Sequence, residues 1–140
     1  MQVFSAHLAE DFGATTFEWQ PHSIAKRDLM WMRSCDVFVA LLPPDQGGSL
    51  ARSDGTHVEL GWASALGKPI VLVSDTKLEG QFSQLVTGLP AIAQVWRADF
   101  FEVMDDPDIL VRLISEILAT AAVQTESAEM DLSQQLEPVP

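Results

Sequence analysis

Three apolar stretches stand out along the chain, residues 36–42 (DVFVALL), 69–74 (PIVLVS) and 91–96 (AIAQVW). Unbroken runs of this length, without polar alternation, suit strands covered on both faces, as in a parallel sheet. The opening MQVFSA is shorter but β-prone and predicts a further strand at the very start. Between these runs the pattern changes to helical spacing. Ser23 is placed to cap a helix over IAKRDLMWMRSC, where Ile24, Asp28, Trp31, Met32 and Cys35 fall near one face. A second helix is predicted from Gly55 to Leu66, stopped by Gly67 and Pro69. LEGQFSQLVTGLP reads as a short helix. PDILVRLISEILATAA starts at Pro107 and carries Ile109, Leu110, Leu113, Ile114 and Ile117 at helical spacing.

Strand and helix thus alternate, which predicts a three-layer α/β fold with a mainly parallel sheet, of the flavodoxin or Rossmann kind. The connecting segment PPDQGGSLARSDG, rich in Pro, Gly and Ser, has the length of a functional loop. HLAEDFGATTFEWQPHS reads as a loop or short helix. At 140 residues the chain has room for one core. Its domain is expected over residues 1–120. Residues 121–140 are polar, acidic and end in Pro, which predicts a disordered tail.

Charge narrows the partners. The formal net charge is −12, and the four acids of residues 121–140 leave −8 on the first 120. Such a surface repels a nucleic-acid backbone, so no polymer partner is expected, although a single nucleotide in a local pocket is compatible. Cys35 is the only cysteine, which excludes an internal disulfide and fits a reducing compartment. No apolar run reaches membrane-spanning length and the N-terminus has no leader pattern, so a cytoplasmic protein without a membrane partner is expected.

Ligands of parallel α/β sheets bind beyond the carboxyl ends of the strands. The loop from Pro43 to Gly55 lies there, and Gly47, Gly48 and Gly55 let backbone approach a ligand while helix-start N–H groups favour an anion. Glu59 stands in the opening turns of the apolar helix that follows. It is either a solvated carboxylate on the helix rim or a reagent kept ionised by the helix dipole. Asp28 is the second carboxylate, on an apolar face, and a salt bridge to Lys26, Arg27 or a neighbouring element would equally account for it. His7 follows the first predicted strand. His22 and His57 have no metal-ligand spacing with Cys or carboxylate, and no cofactor motif is present, so neither metal nor cofactor is expected. Trp19, Trp31, Trp62 and Trp96 can pack in a core or stack a base.

The segment DLMWMRSCDVFVALL followed by SDGTHVELGWASALGKPIVLV resembles the nucleoside 2-deoxyribosyltransferase family. Within it, the similarity is to the branch of 2′-deoxynucleoside 5′-phosphate N-hydrolases and CMP hydrolases, over residues 3–118. The resemblance implies that Glu59 attacks C1′ of the sugar and forms a glycosyl ester, with Asp28 assisting near ribose and base and His7 on the base side. Ser53 stands where transferases of free nucleosides often carry Asp, and a hydroxyl suits a 5′-phosphate where a carboxylate would repel it. Ser83 resembles a serine that reaches the phosphate site of a neighbouring subunit, which implies a homodimer. The function expected is N-glycosidic cleavage of (deoxy)nucleoside 5′-monophosphates. Base exchange on free nucleosides and an impaired nucleotide-binding module are the alternatives. A phosphoribohydrolase with Gly-Thr-x-x-Glu fits less well, since SDGT lacks that family's denser glycine run. Family members carry a strand, a Gly-containing loop and a helix ahead of the segment matching VFSAHLAEDFG. A chain without that unit is expected to leave a sheet edge unpaired and to self-associate.

Overall fold

A computed structural model describes residues 2–11, 14–15, 18–51 and 53–135, with side chains described as far as residue 122. The elements in chain order are α1 (Ala6–Ala9), α2 (Pro21–Ser34), β1 (Phe38–Leu42), α3 (Asp54–Ala65), β2 (Ile70–Ser74), α4 (Gln84–Gly88), β3 (Val95–Asp99), α5 (Phe100–Asp105) and α6 (Asp108–Gln135). Two compact units are formed, residues 1–100 and residues 101–140.

The first unit holds a parallel sheet in the order β1-β2-β3, in register with Ala40 opposite Leu72 and Leu72 opposite Arg97. β2 is central and every one of its residues is buried, which is why its sequence shows no alternation. Met32, Ala40, Leu42, Leu60, Ala63, Ile70, Leu72, Phe82, Val86 and Leu89 form one core cluster. Burying each of its larger aliphatic side chains contributes about 1.5–3 kcal/mol. α3 packs on α2 and on strands β1 and β2, and so it carries the two helices' chemistry-bearing faces together. The parallel α/β architecture expected from the alternating pattern is the one observed.

Local chemistry explains where the elements begin and end. α2 starts at Pro21, its first helical residue, and Ser23 lies inside the helix rather than capping it. A proline there loses no hydrogen bond and presets the helical φ, so the helix begins earlier than a Ser23 cap predicts. At its other end, Lys68 Nζ donates to the carbonyls of Arg33 at 2.9 Å and Cys35 at 2.7 Å, giving partners to acceptors the helix leaves open. Lys68 reaches them because Gly67, at φ +65°, turns the chain sharply out of α3.

The strand predicted over MQVFSA is not formed: residues 2–5 pair with no strand, and α1 follows at once. Ser5 caps α1 by accepting from Leu8 N–H at 3.4 Å. Phe4 instead stacks its ring on Trp31, with centroids 5.6 Å apart. A short β-prone run becomes a strand only when a neighbour supplies the ladder, and here a helix cap and an aromatic contact take its place. β3 is also displaced from AIAQVW. Leu89–Ala91 form a 3₁₀ turn with Pro90 near its start, and the strand begins only at Val95.

In the second unit, Asp106 organises the start of α6. Its Oδ1 accepts from Asp108 N–H at 3.1 Å and its Oδ2 pairs with Arg112 at 3.2 Å. The backbone of α6 continues to Gln135, and residues 136–140 lie outside the described residues.

Candidate active site

α2 and α3 each present one helical face to a shared cavity of about 390 Å³. From α2 come Pro21, Ile24, Ala25 and Asp28. From α3 come Gly55, Val58, Glu59 and Trp62. Both sets follow the spacing i, i+3, i+4, i+7, the neighbours along one helix face. Trp19, just ahead of α2, completes the wall. The result is an apolar slot with two indoles and two carboxylates, suited to a planar ring attached to a polar, hydroxyl-bearing group.

Glu59 is half-buried, and its carboxyl is pushed above the usual glutamate range. Burial is the main cause, the nearby Asp28 charge adds to it, and Arg27 opposes both. The dipole expected to hold Glu59 ionised is thus outweighed. Glu59 lies beyond the first turn of α3, where the dipole has faded, and the cavity walls remove the water that would solvate its charge.

Asp28 combines the two readings open to it. It lines the cavity, and its Oδ1 accepts from Arg27 Nε at 2.8 Å. Arg27 also donates through Nη2 to Glu10 Oε1 at 2.6 Å. Its guanidinium carbon lies over two indoles, 5.0 Å from the Trp19 ring centre and 4.7 Å from that of Trp31. Burial opposes its charge, but the hydrogen bonds and charges of Asp28 and Glu10 outweigh it and hold Arg27 protonated. Sequence reasoning named Arg27 only as one possible partner of Asp28 and missed Glu10 and the stacking role of Trp19. The signal available was a basic residue beside a carboxylate on an otherwise apolar helix face.

The other predicted site residues divide. Gly55 lines the cavity with Glu59 and Asp28, whereas His7, Ser53 and Ser83 do not. His7 is exposed on α1. Ser53 is the N-cap of α3: its Oγ accepts from Thr56 N–H at 3.3 Å and meets Thr56 Oγ1 at 2.9 Å. Ser83 caps α4 by accepting from Val86 N–H at 3.3 Å. It lines a separate, polar cavity of about 660 Å³ with Asp45, Ser49, Asp54 and His57. Among the described residues no group of three or more His, Cys, Asp or Glu could hold a metal, and no helix is long and apolar enough to cross a membrane.

A parallel α/β domain with an acidic, aromatic-walled slot between two helices describes a class of small-molecule sites. The chain belongs to the nucleoside 2-deoxyribosyltransferase family, whose profile matches residues 4–117. Among solved structures it is similar to Clostridium botulinum CMP N-glycosidase, BcmB, at 28% identity over 68% of this chain and 74% of that one, with a TM-score of 0.52. It is similar also to the solution structure of BlsM, at 33% identity over 85% of this chain and 70% of that one, with a TM-score of 0.58. No curated protein matches the chain.

Proposed function

We propose that the protein cleaves the N-glycosidic bond of nucleoside 5′-monophosphates, with Glu59 as nucleophile. The observation that carries this reading is the shared cavity, lined by the carboxylates of Glu59 and Asp28 together with Trp19 and Trp62. Family membership and the likeness to a CMP N-glycosidase support the substrate class.

In this mechanism the Glu59 carboxylate attacks C1′ as the bond to the base breaks, and an ester to the sugar forms. The base takes the electron pair and gains a proton, from Asp28 or from water. Water then attacks the ester, releasing the sugar 5-phosphate and restoring Glu59. An anion beneath C1′ stabilises the oxocarbenium-like charge of both steps. Trp19 and Trp62 are apolar planes for the base. Asp28, anchored by Arg27 through one oxygen, orients the sugar and the departing base. Ser53 Oγ, which accepts within its cap, keeps a hydroxyl proton to give a phosphate at the start of α3.

The test is base release from nucleoside monophosphates by the wild type and by Glu59→Gln. The variant keeps the side chain's shape and removes its charge, so turnover should fall by roughly three orders of magnitude. Near-normal turnover would return Glu59 to a structural carboxylate. Adding a second free base to the assay separates hydrolysis from transfer, since a transferase would yield the exchanged nucleoside.

A further inference from the structure

We infer that Arg27 is a positioning residue for this site, clamped so as to fix Asp28 and to place a cation near Glu59. The inference rests on the reading of Glu59 as nucleophile only for its link to turnover. The clamp itself is geometric. The Arg27 side chain is 10% exposed, with Glu10 on Nη2, Asp28 on Nε and the indoles of Trp19 and Trp31 both within 5.0 Å of the guanidinium carbon. Phe4 stacks in turn on Trp31, which extends the pile by another ring. Arg27 does not itself line the cavity, whereas Asp28 and Trp19, both in contact with it, do.

Neighbours along a helix point in different directions, so a direct bond between Arg27 and Asp28 requires the arginine to fold back over the helix. The two indoles hold it there. Two carboxylates facing one cavity repel each other, and a cation nearby offsets that repulsion. Arg27 is the cation whose charge reaches Glu59. Of the elements packed against α3, α2 brings Asp28 and Arg27, while β1 (FVALL) and β2 (IVLVS) carry no titratable side chain. A lysine supplies the charge but not the planar fork that spans two carboxylates and stacks on aromatic rings.

The experiment reads Glu59 directly, by carbon-detected NMR titration of its side-chain carboxyl, alongside the pH profile of base release. Arg27→Met should move the Glu59 midpoint to higher pH, move the acid limb of kcat the same way, and lower kcat by roughly 100-fold through misplacement of Asp28. Arg27→Lys should restore most of the titration but only part of kcat. Glu10→Gln, which frees more of the arginine's charge, should move the Glu59 midpoint to lower pH and serves as the decisive variant if Arg27→Met does not fold. A Glu59 midpoint unchanged in the folded Arg27 and Glu10 variants overturns the inference whatever the substrate. Loss of the Glu59 proposal alone, by an active Glu59→Gln, leaves the titration result standing.

Discussion

Asp28 and Glu59 reach one cavity from neighbouring helices, and the charge of Asp28 helps to raise the proton affinity of Glu59. The pair is therefore strained electrostatically in the folded chain, which gives the first prediction. On the proposed mechanism base release requires ionised Glu59, so activity should fall as pH drops through its raised pKa. The acid limb should lie above the ordinary glutamate value of about 4.3. A kcat profile measured across the weakly acidic range checks this, and a limb at or below the ordinary value would contradict the burial of Glu59.

The same group predicts a stability change. Glu59 binds its proton more tightly folded than unfolded. Its contribution is thus fully present below the ordinary glutamate range and is lost as pH rises through its raised folded value. Gln mimics the protonated form. Glu59→Gln should therefore melt higher than wild type at neutral pH, with the difference shrinking to nothing below about pH 4. Thermal melts of both proteins over that range make the comparison.

Specificity for the phosphate should depend on Ser53. An aspartate there can still cap α3, because Ser and Asp are both good N-caps. It would repel a 5′-phosphate while leaving a free nucleoside unaffected. Ser53→Asp should thus lower kcat/KM for the monophosphate by about tenfold or more, a loss of roughly 1.4 kcal/mol, with little change for the nucleoside and in melting temperature. Equal losses on both substrates would remove Ser53 from the phosphate site.

Ser83 faces its own cavity, apart from Glu59 in the same chain, and a homodimer in which it serves the partner's phosphate reconciles its placement with its proposed role. Sedimentation should then find a dimer, and Ser83→Ala should raise KM for the monophosphate beyond the effect of losing the α4 cap, about 1 kcal/mol of stability. A monomer with full activity would exclude this arrangement.

Lys68→Met should destabilise the fold without touching the cavity. The variant leaves the carbonyls of Arg33 and Cys35 without their donor, at a cost of about 1–3 kcal/mol. Denaturant unfolding should show the loss, and base release below the transition should stay unchanged.

Much of this architecture is written in local pattern. The unbroken apolar runs of β1 and β2 announce buried parallel strands, and the Gly67–Pro69 stop ends α3 where the backbone requires it. Even the two cavity faces can be read as i, i+3, i+4, i+7 sets, because helical period alone decides which residues of one helix are neighbours. The opening stretch and β3 were less legible. A strand needs a partner from elsewhere in the chain, and Ser5, Pro90 and the Phe4–Trp31 contact resolved those segments differently. The pairing of Asp28 with Glu59, the clamp of Glu10, Trp19 and Trp31 on Arg27, and the separation of Ser83 belong to the tertiary level. Apart from Arg27 and Trp31, which stand four residues apart on α2, each depends on which segments meet in the folded chain. The proton affinity of Glu59 depends likewise on every group that covers it, and burial and charge act through space rather than along the sequence.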